Sequence, residues 1–249
     1  MRADQLLVDR GLAATRSQAQ RLIAAGLRWH DGRDWRRVAK NGEELPASAQ
    51  LQLQDAAEAR YVSRGGLKLA GALRAAGLDP RGLRCLDVGQ STGGFTDCLL
   101  QHGAAEVVGV DVGHGQLHER LRADARVVCL EKRNARELDA ATLGVPAGFG
   151  LVVGDLSLIS LTLVLPALVP LLAPQGRLLM LVKPQFELQP GQLAKGGIVR
   201  DEALYPVVEQ RIRQACAACG LQVQGWFDSP IRGGDGNREF FVMATRGSR

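Results

Sequence analysis

Aromatic residues are scarce in this chain of 249. They make up 4% of it against a hydrophobic content of 46%, so leucine, valine and alanine must fill its core. Cysteine is limited to Cys85, Cys98, Cys129, Cys216 and Cys219, an odd number at wide spacing. That excludes a disulfide framework and points to a reducing compartment. Cys216 and Cys219 form a CxxC, but no second pair completes a zinc site of about four ligands, and both fall in an amphipathic helical stretch. No apolar signal core opens the chain. The longest apolar run, 156–172, contains Pro166 and Pro170 as well as Ser157, Ser160 and Thr162. A membrane helix needs about 20 apolar residues, so the run reads as buried structure of a cytoplasmic protein with no membrane partner. A GxGxxG dinucleotide fingerprint, a GK[ST] phosphate loop, repeats and low-complexity tracts are all missing.

Positive charge is present and unevenly placed. The net charge is +5. Residues 10–40 hold Arg10, Arg16, Arg21, Arg28, Arg33, Arg36, Arg37 and Lys40 against Asp31 and Asp34. A nucleic-acid partner is permitted by this balance, and a solvated basic face is the plainer alternative.

Two parts are expected. Residues 1–54 read as a small α+β module. It has a helix over 4–10 closed by Gly11, then a helix over 16–25 capped by Thr15 and closed by Gly26. Short strands follow over 27–29, 35–39 and 51–53, with turns at Asp31-Gly32 and Asn41-Gly42. Polar residues 55–63 read as a linker. From residue 64 to 249 helices and strands alternate. Helices are expected over 66–76, 94–101, 116–122, 160–172 and 204–219. Strands are expected over 86–88, 107–110, 127–129, 151–153, 177–181, 223–227 and 239–243. Such alternation makes a Rossmann-like α/β fold with a mostly parallel, seven-stranded sheet.

The most informative stretch is CLDVGQSTGG, 85–94, followed by an apolar run that closes on Asp111. A buried strand enters a glycine-rich turn, and a second strand ends in a carboxylate about 20 residues on. Glycines let the backbone approach a ligand, and the acidic residue takes ribose hydroxyls. The spacing DVGxxxGG suits a nucleoside cofactor without phosphates, such as S-adenosylmethionine (SAM); another Rossmann-type ligand is the alternative. Ligand contacts in these sheets gather at the carboxyl ends of strands. Those ends hold Asp87, Gly89, Ser91, Thr92, Gly93 and Gly94, then Asp111 and Val112, then Asn134 and Ala135, where an adenine edge could be read. Asp155 follows the fourth strand and Lys183 the fifth, so a carboxylate and a lysine should face one crevice. Asp155 could equally be a helix cap. Lys183 ends the apolar run LLMLV, where a charge needs a partner.

Asp155 is followed by Leu-Ser-Leu rather than Pro-Pro-aromatic, which disfavours methylation of an exocyclic adenine amine. The nearest cysteine, Cys129, lies on another predicted strand, which disfavours attack on pyrimidine C5. A hydroxyl acceptor fits better, with a desolvated lysine as its base.

The blocks YVSRGGLKL (61–69), DVGQSTGGFTD (87–97), EKRNAREL (131–138), DLSLISLTLVLPAL (155–168), VKPQFE (182–187), KGGIVRD (195–201) and SPIRGGDGNREFF (229–241) closely resemble the TlyA family. These proteins, often labelled haemolysin A, are ribosomal RNA 2′-O-methyltransferases related to FtsJ/RrmJ. The resemblance runs over essentially the whole chain. It implies an S4-like RNA-binding domain over 1–54 and an FtsJ-like, SAM-dependent methyltransferase domain over 64–249. It also implies a catalytic tetrad that maps on Lys68, Asp155, Lys183 and Glu239, and a cytidine in ribosomal RNA as acceptor, with the ribosomal subunits as partners. Alone, Lys68 would pass as an exposed helix lysine and Glu239 as an edge-strand charge. The chemistry asks for no metal. Arg2, Arg16, Arg21 and Lys40, with Arg64 at the linker exit, are the residues expected to meet RNA phosphates. Gln90 and Leu158 depart from the family, which often has a small residue and a phenylalanine there. Three other readings are weighed. An RNA-binding assembly factor with weak catalysis is opposed by intact motifs. A membrane-active haemolysin lacks any lytic segment, and a small-molecule methyltransferase would leave the basic module idle.

Overall fold

The computed structural model describes residues 1–53 and 59–247. The expected boundary at 54–55 and the first part of the expected linker lie outside the described residues.

The amino-terminal module starts with helices α1 (Ala3–Asp9) and α2 (Arg16–Gly26). Thr15 caps α2, its Oγ1 accepting from Gln18 N at 3.1 Å. Strands β1 (Leu27–His30), β2 (Trp35–Arg37) and β3 (Gln50–Leu53) form an antiparallel sheet ordered β2-β1-β3. Leu6, Leu7, Leu22, Ile23 and Leu27 make its core with Val38 and Leu45.

The second part carries α3 (Gly65–Ala76), β4 (Arg84–Val88), α4 (Gly94–Gln101), β5 (Glu106–Val110), α5 (Glu119–Arg122) and β6 (Val127–Leu130). Strand β7 (Phe149–Gly154), α6 (Leu165–Leu168), β8 (Leu172–Val182), α7 (Leu204–Ala218), β9 (Leu221–Asp228) and β10 (Phe240–Arg246) complete it. The seven-stranded sheet is ordered β6-β5-β4-β7-β8-β10-β9. Strands β4 to β8 pair in parallel, and β10 runs antiparallel to both neighbours. Both faces are covered, which is why the strands are nearly continuous apolar runs. Alternation along β4 sends Leu86 and Val88 into one core and Cys85 into the other. Asp87 therefore points to the Cys85 side, towards α4. The chain leaves β4 for β5 on one side and returns through β7 on the other, so the crevice between the ends of β4 and β7 is the place where ligands bind such sheets.

Three expectations need correction. The helix over 160–172 is broken into a 3-10 turn (Leu161–Leu163), the short α6 and another 3-10 turn (Val169–Leu171). Pro166 and Pro170 lack the N–H that a continuous helix requires. The helix over 116–122 is reduced to α5, with His118 as its cap. The polar stretch 55–63 does not stay a simple connector at its end. Tyr61 and Val62 are buried in the core with Leu69, Phe95 and Cys98. Among the described residues, no helix is long and apolar enough to cross a membrane.

The small module has little core to spare. Leu22→Ala, at a fully buried position, should cost about 2–5 kcal/mol. Thermal unfolding with hydrogen exchange should show the module opening at lower temperature while the seven-stranded sheet keeps its protection.

Candidate active site

The glycine-rich loop is held by carboxylates on two strands. At the end of β5, Asp111 accepts Ser91 N through Oδ2 at 2.7 Å and Gly113 N through Oδ1 at 2.8 Å. The first of these bonds keeps Ser91 in the left-handed region, at φ 50°, a conformation that costs energy for a side chain. Gly89 has φ 81°, and a Cβ there would meet Asp155 O at 2.6 Å. Loop and β7 terminus thus approach as closely as backbone allows.

Asp87 lies beneath this loop and is 1% exposed. Thr96 Oγ1 on α4 donates to its Oδ2 at 2.7 Å, and Gln90 Nε2 donates to Thr96 Oγ1 at 2.9 Å. The other oxygen, Oδ1, is buried with no hydrogen-bond partner among the described residues. Burial raises the carboxyl from its ordinary 3.8 to about 7, with Asp155 and Asp111 adding repulsion against the Thr96 bonds.

Above the loop opens a cavity of about 300 Å³. Of the residues expected to contact a cofactor, Gly89, Ser91, Asp111, Val112, Ala135 and Asp155 line it. Thr92 and Gly94 line a smaller adjoining cavity of about 100 Å³ that shares Gly89, Ser91 and Asp155. Gly93 caps α4 instead. Asn134 departs from its expected place. Its side chain accepts from Arg136 N at 3.0 Å and caps the 3-10 turn Ala135–Glu137, so it is not on the cavity wall. A short polar side chain before a helical turn finds its own backbone first. The wall also includes Arg133, Leu156, Ser157 and Leu158, which the sequence reading missed. Leu158 looks like a core residue by type, yet it is 87% exposed at φ 65°.

Four charged side chains from four separate segments meet beside these cavities. Lys68, on the first turns of α3, places Nζ 2.6 Å from Glu239 Oε2. Both are buried, at 7% and 2% exposure. Gly66 seats that helix: a Cβ there would lie 2.2 Å from Tyr61 Cγ. Glu239 immediately precedes β10, an interior strand, so it is no edge charge. Lys183 ends β8 in the extended conformation that a following proline imposes. Its Nζ lies 2.5 Å from Asp155 Oδ1 and donates to Ser157 Oγ at 2.9 Å. Asp155 is no helix cap, because the next helical turn starts at Leu161 and is capped by Ser160. Burial raises the Glu239 carboxyl, opposed by Lys68 and Lys183 and reinforced by Asp155, so the two ion pairs act on one another.

Two ties brace the loops that carry these groups. Glu187, four residues after Lys183, accepts Ser160 Oγ at 2.6 Å and Leu161 N at 2.7 Å. It joins the loop after β8 to the loop after β7. Asp235 accepts Gln185 Nε2 at 3.0 Å and Asn237 N at 2.9 Å. Asn237 in turn accepts Val199 N at 2.9 Å and donates to Gly197 O at 3.0 Å.

The residues expected to meet RNA are spread over the small module and the rim of the large one. Arg2 and Arg16 are half-exposed and share the buried carboxylate of Asp4, at 2.9 and 3.1 Å. Lys40 is exposed and Arg21 half-buried. Arg64 donates to Arg232 O at 3.0 Å, which anchors it near the segment leading to Glu239.

A model of the FtsJ-like methyltransferase family matches residues 61–246. The 16S/23S rRNA (cytidine-2′-O)-methyltransferase TlyA of Mycobacterium tuberculosis is 44% identical, over 97% of this chain and 88% of its own. Hemolysin A of Brachyspira hyodysenteriae is 36% identical, over 97% of this chain and 98% of its own. A solved hemolysin-named protein from Streptococcus thermophilus superposes with a TM-score of 0.77 at 38% identity, covering 100% of this chain and 89% of that one.

The buried Asp87 carboxyl makes stability depend on pH. Folding raises its pKa from 3.8 to about 7, so the folded state binds more protons than the unfolded one between those values. The ligand-free protein should lose stability as pH rises through that window. Asp87→Asn should flatten the slope and be more stable at pH 8, on the order of a few kcal/mol. Paired denaturant titrations at pH 5 and pH 8 test this, and buried Glu187 and Glu239, present in both proteins, cancel in the difference.

Proposed function

The chain belongs to the FtsJ-like methyltransferase family, and from that premise we propose that it methylates the ribose 2′-hydroxyl of a cytidine in ribosomal RNA, using SAM. One observation carries the reading: Lys183, Asp155, Lys68 and Glu239 form two ion pairs, and Asp155 sets them beside a cavity walled by Asp111 and apolar side chains.

The residues present fit SAM. Asp111 offers a carboxylate at the end of β5 for ribose hydroxyls, and Val112, Ala135, Leu156 and Leu158 give the cavity apolar walls for a base. Asp155 borders both cavities. It supplies negative charge for an amino-acid ammonium, while Asp87, expected among the cofactor contacts, lies buried beneath the loop and lines neither cavity. The glycine-rich loop has no phosphate-binding lysine. When bound, SAM supplies an electrophilic methyl group on a sulfonium.

The chain's own residues do the rest. Lys183 Nζ takes the proton of the acceptor 2′-hydroxyl as its oxygen attacks. Asp155 orients that nitrogen and balances the ammonium that forms. Lys68 and Glu239, locked to one another, position the acceptor ribose. Methyl transfer is an in-line displacement, so alignment supplies much of the rate. The basic amino-terminal module grips RNA phosphates through Arg2, Arg16, Arg21 and Lys40, with Arg64 at the junction. Phosphate contacts position RNA without reading its sequence, and A-form RNA is recognised largely by shape. The target nucleotide has to leave its stack for its ribose to reach the cavity. We place the reaction in the cytoplasm, with ribosomal subunits as the partner.

The test is transfer of labelled methyl from SAM to isolated small and large ribosomal subunits lacking the modification. Label should enter a ribose, and Lys183→Ala should lower turnover at least about 100-fold while SAM still binds. Full turnover by that variant would remove Lys183 from its role. RNA affinity should fall linearly with the logarithm of salt concentration. Lys40→Ala should lessen that slope by about one, as a filter-binding titration across salt would read.

A further inference from the structure

Lys183 has a second partner that the four-residue arrangement does not include. Its Nζ lies 2.5 Å from Asp155 Oδ1 and also donates to Ser157 Oγ at 2.9 Å. Both acceptors belong to the loop that follows β7. Glu187 braces that loop against the segment carrying Lys183 through Ser160 and Leu161. Ser157 also lines the larger cavity with Asp155, so it stands where cofactor and base meet.

We propose that Ser157 is a positioning residue: with Asp155 it holds two of the N–H bonds of Lys183 Nζ, so that once the third proton has left to solvent the lone pair is aimed at the acceptor hydroxyl. The inference rests on the proposed role of Lys183 as base. The stereochemistry is simple. An amine nitrogen has four tetrahedral corners. Cε occupies one, Asp155 Oδ1 and Ser157 Oγ take a hydrogen each, and the fourth holds the lone pair. With both acceptors on one loop, that fourth corner is turned away from the loop.

In the reaction the O–H bond of the 2′-hydroxyl breaks and its proton goes to the fourth corner of Nζ. The hydroxyl oxygen forms a bond to the methyl carbon, and the carbon–sulfur bond breaks with its electron pair left on sulfur. The sulfonium loses its charge as the amine gains one. The ammonium then has three donors, two of them already placed. Asp155 alone would fix one hydrogen and leave the other hydrogen and the lone pair free to exchange places by rotation about the Cε–Nζ bond and inversion at nitrogen, presenting a hydrogen to the acceptor as often as the lone pair. Because Ser157 is uncharged, its removal changes orientation without changing the charge of the site.

The experiment compares Ser157→Ala, Ser157→Cys and Ser157→Thr in methyl transfer to ribosomal subunits, with SAM affinity and thermal unfolding measured on each. Ala and Cys should lower kcat roughly tenfold to a hundredfold, with KM for RNA, SAM affinity and unfolding temperature unchanged. Cysteine keeps the shape but is a weak acceptor. Threonine keeps the hydroxyl and should restore most of the rate. Wild-type kcat in both Ala and Cys would overturn the proposal. So would a loss confined to SAM affinity or unfolding temperature, which would make Ser157 a cavity-wall or structural residue, or a Thr variant as slow as Ala. Lys183→Ala, run alongside, separates the two readings. If it stays active, the assignment of the base fails. If it is inactive while the Ser157 variants run at full rate, only the positioning role fails.

Discussion

Desolvated charge is the constraint on which the site depends. Lys68 and Glu239 are almost fully buried, and neither could be there alone, because an unpaired buried charge costs several kcal/mol. Each lysine therefore has a carboxylate on a different segment: α3 with the residue before β10, and β8 with the loop after β7. The pairing obliges the ends of strands distant in sequence to come together. It also gives the site its specificity of geometry. A buried ion pair has few alternative partners, so the Lys68–Glu239 pair, with Lys183–Asp155 beside it at the cavity wall, fixes how these strand ends are arranged.

The glycine-rich loop obeys the same logic with a different balance. Asp111 spends both oxygens on backbone N–H groups, and in doing so holds Ser91 in an unfavourable conformation. Among the described residues, Asp87 has a partner for one oxygen and none for the other. A protein that buries half of a carboxylate unsatisfied carries a local cost that a cationic ligand group would relieve. Stability and the protonation of one buried carboxyl are thus linked at this residue.

On the amino-terminal module, the arginines expected to meet RNA are already organised by protein. Arg2 and Arg16 converge on buried Asp4, yet about half of each side chain stays exposed. A carboxylate beneath two guanidinium groups sets their direction and leaves a net positive face outward. Arg64 is similarly anchored, by a carbonyl near the segment leading to Glu239. These bonds reduce the side-chain freedom that phosphate binding would otherwise have to remove.

What the sequence determined by itself is the part written in local pattern. Glycine and acidic residues at the ends of apolar runs announced the parallel sheet, its order of elements and the loop around Gly89. The apolar stretch before Lys183 announced a charge that must be paired. Local pattern failed where a side chain had a nearer use for itself. Asn134 caps its own turn, the prolines at 166 and 170 break a helix that periodicity continued, and Tyr61 leaves the linker for the core. Tertiary structure alone decided that Ser157 touches Lys183, that Arg133 and Leu158 stand on the cavity wall, and that Glu187 ties two loops. Taken as residue types, a serine, a leucine and a glutamate signal only surface, core and solvent. Which of them meets a lysine depends on how two strand ends from separate crossovers are brought side by side, and no spacing along the chain records that distance.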